Sequence, residues 1–180
     1  MKRTLLALAL ALPPLGASAE TLDLGARGTF TIGVPRGWTY SATKEEDTGY
    51  AIVLTPPPEV NARLLMNLVF VPPGEPASKE DLQDKVLTIS DQFVGASVEK
   101  KKVLRDFAVS SGYGAYCLFT DASLVGQPPK KDSFKVIAVG MIRFNDELAA
   151  AVSLVTDDEK GPDFAAMLKA VASATAGPRK

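Results

Sequence analysis

Apolar and polar residues alternate with period two over residues 29–34, with Phe30, Ile32 and Val34 on one face and Thr29, Thr31 and Gly33 on the other. That pattern predicts a strand with one face buried. Pro35-Arg36-Gly37 ends it in a turn, and extended chain resumes at Trp38-Thr39-Tyr40. Residues 44–48 are charged and read as a solvated connection. A second strand spans 50–55 and stops at Pro56-Pro57-Pro58. Residues 63–71 are apolar on both faces, which predicts a central strand covered on both sides and closed by Pro72-Pro73-Gly74.

The period then changes. Ser78 is a candidate N-cap, with Asp81 three residues on in a variant of the capping box. Leu82, Val86, Ile89 and Phe93 follow as one apolar stripe on a helix, and Gly95 is placed to end it in the left-handed conformation. Alternation returns over 99–109, with Val103, Phe107 and Val109 set against Lys102 and Asp106. Gly112-Tyr113-Gly114 reads as the turn leading into the first of three further strands, at 113–122, 134–144 and 148–156. Asn145-Asp146-Glu147 is short enough to join the last two as a hairpin. Acids at 157–159, placed to cap, precede a second helix with Pro162 at its first position and a stripe of Phe164, Met167, Leu168 and Val171. Residues 176–180 read as a frayed end. Short links between most strands forbid parallel pairing, which needs long crossovers. The fold class is therefore α+β, an antiparallel β-sheet with helices packed on it.

The first nineteen residues follow a different logic. Lys2 and Arg3 precede an apolar run from Leu5 to Leu12, then Pro13, Pro14 and Gly16, then Ala17-Ser18-Ala19. This order is that of a secretory signal peptide cut after Ala19. The run is far short of the roughly 20 residues that span a bilayer. The expectation is an exported protein, periplasmic where the cell has two membranes, with residues 20–180 forming a single domain.

Composition narrows the chemistry. The 180 residues include no histidine and one cysteine. That excludes Ser-His-Asp and Cys-His nucleophile systems, histidine-ligated zinc and multi-cysteine metal sites. With 20 Lys and Arg against 21 Asp and Glu, the basic excess expected of a nucleic-acid binder is missing. No nucleic acid, cofactor, metal or membrane span is expected. Cys117, between apolar neighbours, reads as a small buried hydrophobe rather than a reactive thiol.

The run Phe-x-Ile-x-Val-Pro-x-Gly-Trp at 30–38, the paired apolar strands, the Ser-capped mid-chain helix, Val139-Gly140-Met141-Ile142 and the closing helix from Asp163 through Phe164, Met167 and Leu168 together resemble the Mog1/PsbP-like superfamily. The resemblance covers nearly all of residues 20–180 as a pattern, its most specific part being the Val-Pro-x-Gly-Trp turn. It implies the fold and a role in partner binding, since members are mostly non-catalytic. It carries over no functional residue.

Several positions are candidates for contact. Trp38, the only tryptophan, is either an interface anchor or a plug that packs its turn onto the sheet. Lys100-Lys101-Lys102 with Arg105 form either an anionic-partner patch or a guarded sheet edge. The loop at 122–134 is long for a hairpin link, and its Pro128-Pro129 pair would hold Lys130 and Lys131 outward. Asp157-Asp158-Glu159 lack the spacing of a calcium loop. Two function classes follow. The first is a non-catalytic exported binding or assembly module that contacts an envelope protein or a small ligand. The second is a hydrolase using carboxylates or a Ser/Lys pair. Oligomeric state and strand order are not legible at this level.

Overall fold

The structure, a computed structural model, describes residues 18–45, 49–72 and 78–178. Of the expected signal segment at 1–19, residues 1–17 lie outside them. Among the described residues, ten strands and two α-helices are arranged in layers. The large sheet has the order β3 (Thr39–Glu45), β4 (Gly49–Thr55), β5 (Ala62–Phe70), β9 (Leu148–Thr156), β8 (Val136–Arg143), β7 (Tyr113–Thr120), β6 (Arg105–Asp106). Every neighbouring pair in it is antiparallel, as short links require. A second sheet has the order β1 (Ser18–Asp23), β2 (Thr29–Val34), β10 (Thr175–Gly177).

The main core lies between the two sheets and α2 (Pro162–Ser173). Phe30, Ile32 and Val34 of β2 meet Ile52, Leu54, Leu64, Met66 and Leu154 of the large sheet. Phe164, Met167, Ala170 and Val171 of α2 close the same cluster, and Leu168 packs at its margin. Phe30 and Phe144 meet edge to face at 5.4 Å. The other face of the sheet is covered by α1 (Lys79–Val94), which packs on β7 and β8. There Leu82 and Val86 bury against Ala115, Cys117, Phe119 and Val139. Cys117 is thus a fully buried small side chain.

Local chemistry explains the elements that match expectation. Ser78 Oγ accepts from the Asp81 backbone N–H at 3.0 Å while Asp81 takes the Ser78 backbone N–H at 3.1 Å, a complete capping box. Asn145 Oδ1 accepts from the N–H groups of Glu147 and Leu148, both at 2.9 Å, and so builds the β8–β9 hairpin. Gly37 adopts φ 79 in the Pro35 turn and Gly112 φ 76 just before β7, conformations that glycine reaches without strain.

Other expectations are corrected. The described residues form two sheets, and the expected frayed end at 176–180 is partly strand: Ala176 pairs with Phe30. A strand also precedes residue 29, since Leu22 pairs with Phe30 on the other side. β3 continues through Lys44 and Glu45, so the charged connection begins later than its composition suggests. β5 is not covered on both faces: Leu64, Met66 and Leu68 are buried, but Asn67 and Val69 are exposed because α1 packs on β7 and β8 instead. The buried stripe of α1 runs Leu82, Val86, Ser90, with Phe93 stacked on Phe119 at 5.6 Å, and Ile89 sits at its edge, 37% exposed. Gly95 stays right-handed, since the last turn is closed by Ser97 Oγ donating to the Val94 carbonyl and Lys100 Nζ to that of Gly95. Positive φ falls instead on Lys100. Only Arg105 and Asp106 of the 99–109 segment form a strand, and Val103 is exposed. Gly161, not an acid, is the N-cap of α2.

Candidate functional site

The β7–β8 connection is a built structure. Asp121 begins it by accepting from the backbone N–H and the hydroxyl of Ser123, at 2.8 and 2.7 Å, ahead of a 3-10 turn at Ala122–Leu124. The Ser123 hydroxyl and then its N–H hold the Asp121 carboxyl below the usual carboxylate range. The Asp121 N–H donates to the Lys135 carbonyl at 2.8 Å and closes the base of the loop. At its far end Lys130 and Ser133 bridge each other across a tight turn, with the Ser133 N–H on the Lys130 carbonyl at 3.0 Å and Asp132 at φ 59. Aspartate tolerates this left-handed conformation better than most residues.

That turn is held by one side chain from outside the loop. Asn61 Nδ2 donates to the carbonyls of Lys130 and Ser133 at 3.2 and 3.0 Å, and Asn61 Oδ1 accepts from the Asp132 N–H at 3.1 Å. The same Nδ2 reaches Asp157 Oδ2 at 2.9 Å, while Asp157 Oδ1 accepts from the Lys135 N–H at 3.3 Å. Arg63 pairs with Asp132 at 3.1 Å on the outside, an exposed bridge that contributes about 0–1 kcal/mol. A polar clamp therefore fixes the turn from β5 and from the end of β9.

Lys130 and Lys131 are exposed on this turn. The loop stands between two grooves. One, of about 500 Å³, faces Pro56, Pro57, Pro58, Val60 and Phe134. The other, of about 430 Å³, faces Leu124, Gln127, Ser133 and Lys135. Pro129 and Lys130 line both. The structure therefore brings Lys130 and Lys131 together on a ridge. Trp38 lies elsewhere, half-buried against the main core, its backbone N–H on the Pro35 carbonyl at 3.0 Å. A Cβ added at Gly37 in its turn would meet Pro57, which lines the larger groove, at van der Waals distance.

The other charged candidates are drawn apart. Lys100 folds onto the C-terminus of α1, Lys102 pairs with Asp91, and Arg105 pairs with Glu159 at 3.6 Å. Lys100 thereby places a cation where the carbonyls that end α1 are negative. The three acids at 157–159 diverge as well: Asp157 goes to the clamp, Asp158 to the Lys160 N–H, and Glu159 to Arg105. These three carboxylates are thus committed to a clamp, a turn and an ion pair. Sequence reasoning missed Asn61. Its only signal was a lone amide after a proline turn, which many loops share.

No family model matches the chain, and no curated protein matches it. Among solved structures it is similar to cyanobacterial PsbP (CyanoP) from Synechocystis sp. PCC 6803, with a TM-score of 0.51 at 12% identity over 93% of this chain and 98% of that one. It is also similar to the Ran-binding protein Mog1p of Saccharomyces cerevisiae, with a TM-score of 0.49 at 13% identity over 91% of this chain and 97% of that one. Two helices on antiparallel sheets in this arrangement, matched along nearly the whole chain by the PsbP structure, give the protein the Mog1/PsbP-like fold.

Proposed function

We propose that the mature protein is an exported, non-catalytic binding module whose ridge at Lys130 and Lys131 receives an acidic partner protein of the cell envelope. The observation that carries this reading is the clamp. Asn61 and Asp157 fix the backbone of the turn while leaving both ammonium groups exposed beside two grooves. A turn ordered before it meets its partner loses little conformational entropy on binding, and its exposed cations steer an acidic surface toward it. The likeness to PsbP supports the fold on which such surfaces are displayed. Export rests on the charged, apolar and small-residue order of the first nineteen residues. A cut after Ala19 would shorten β1 but leave Glu20 paired with Ile32 and Leu22 with Phe30.

The test is association with the protein recovered from an envelope extract, measured for the natural chain and for Lys130→Glu with Lys131→Glu at two salt concentrations. Slower association and a shallower salt dependence are expected in the double variant, with the melting curve unchanged. Equal affinity and equal salt slope would remove this ridge from the interface. Mass spectrometry of protein from its own host is expected to find Glu20 at the N-terminus. A Met1 start in the cytoplasmic fraction would overturn export.

A further inference from the structure

The first turn of α1 and the open part of the large sheet enclose a second pocket, of about 140 Å³, on the opposite side of the molecule's core from α2. Val69, Leu82, Met141, Ala149 and Ala151 make its walls, and Arg143 lines it from β8. Arg143 is 8% exposed. Its Nη2 donates to the Asp146 carbonyl at 2.8 Å, and its Nε is fully buried with no hydrogen-bond partner. A guanidinium taken out of water is stabilised by an anion and by hydrogen bonds to its donors, and one left incomplete is costly. The acid on the rim, Asp81, is exposed and already takes the backbone N–H and hydroxyl of Ser78, at 3.1 and 2.9 Å. Lys85 sits at the same rim, where its charge already acts on the Asp81 carboxyl.

We propose that this pocket binds a small carboxylate with an apolar body, its carboxylate accepting from Arg143 and its body filling the space between Val69, Met141 and Ala151. With Nε closed off, a carboxylate meets the guanidinium at its terminal nitrogens and answers its charge. The walls supply the apolar contact that orients the rest of the ligand. The volume sets the size: an apolar cavity of about 150 Å³ holds a benzene ring. A benzoate-sized acid is therefore the appropriate probe. The ridge at Lys130 is not involved, so this proposal and the preceding one stand or fall separately.

The experiment titrates the full chain with benzoate and with benzamide, its uncharged counterpart, following amide shifts by NMR and the melting temperature. Saturable shifts at Ala149 and Ala151 are expected with benzoate, together with a rise in melting temperature. Benzamide should bind at least about tenfold more weakly, because it leaves the guanidinium without an anion. Arg143→Met should reduce benzoate binding at least about tenfold and Arg143→Lys should restore part of it, whereas Lys130→Glu should leave it unchanged. Ala151→Phe keeps the guanidinium but fills the pocket, and should abolish binding even where Arg143→Met fails to fold. Equal binding of benzoate and benzamide, shifts confined to other surfaces, or undiminished binding by Ala151→Phe would overturn the proposal.

Discussion

The two faces of the seven-stranded sheet are built to different ends. Toward α2 and the small sheet, the side chains of β4, β5, β9 and β8 are covered from Ile52 across to Ala138, and the residues buried there are aliphatic and aromatic. Toward α1 the cover is partial: the helix lies over β7 and β8, Ala149 and Val155 of β9 are buried beside them, and the same β5 that buries Leu64, Met66 and Leu68 on one side exposes Asn67 and Val69 on the other. Burying a large aliphatic side chain stabilises by about 1.5–3 kcal/mol, so the first face carries most of the fold's stability. The second face has room to spare, and that is where a buried cation with an unfilled hydrogen bond is found. Stability and polar chemistry are thus divided between two sides of one sheet.

Adjacent residues of β5 offer the sharpest break of this comparison, since they differ in face and not in chemistry. Leu64→Ala is expected to cost about 3–5 kcal/mol because it opens a cavity in the closed core. Leu65→Ala, on the half-covered side, is expected to cost about 1 kcal/mol. Urea unfolding of both variants measures the difference. Equal losses would mean that the second face is covered in solution.

The clamp is the next largest effect. Asn61→Ala removes the donors and acceptor that hold the Lys130 turn and leaves the Asp157 carboxylate one partner short. A loss of about 1–3 kcal/mol is expected. Hydrogen exchange should quicken at the Asp132 amide and not at Ile52. A turn that keeps its protection without Asn61 would show that Pro128 and Pro129 suffice.

Much of this architecture was legible in residue order, for a physical reason. Strand β2 and helices α1 and α2 each bury a single face, so the period of their apolar residues is the period of the element. Capping at Ser78 and the Asn145 turn were legible because they are local hydrogen-bond chemistry. β10 was not, because Thr175-Ala176-Gly177 has no alternation and becomes a strand only by meeting β2 across the chain. The open face of β5 was hidden for the opposite reason: its residues are apolar on both sides, and only the reach of α1 decides which side stays exposed. Ile89 was misplaced because an apolar residue at the edge of a stripe has the same spacing as one at its centre. Of the candidate site, the exposed lysines were legible from the loop's length and prolines. Asn61, 69 residues before Lys130 in the sequence, was not. Arg143 had one sign, a cation ending a strand otherwise apolar on both faces.

A smaller effect concerns pH, on the α1 side. Burial pushes the Glu99 carboxyl upward, but hydrogen bonds from the Thr120 N–H and hydroxyl, at 2.9 and 2.8 Å, outweigh it and leave it below its ordinary value of 4.5. A carboxyl lowered in the folded state stabilises above its unfolded value and loses that stabilisation as pH falls through the folded one. Glu99→Gln should therefore cost about 1 kcal/mol at pH 7 and progressively less below pH 4.5. A difference that persists unchanged at low pH would mean that packing, rather than charge, is what Glu99 contributes.

The smallest effect tests the open face itself. Val69 is 45% exposed on β5, and threonine has its shape and an equal preference for strands. Where water already reaches the side chain, exchanging a methyl for a hydroxyl leaves no buried polar group to satisfy. Val69→Thr is therefore expected to change stability by no more than about 0.5 kcal/mol. Inside a closed core the same exchange would strand a hydroxyl without a partner and cost about 1–3 kcal/mol. Thermal unfolding at two protein concentrations distinguishes these cases. A loss of that larger size would show Val69 to be buried in solution, and a loss that grows with concentration would identify a second copy of the chain as the cover.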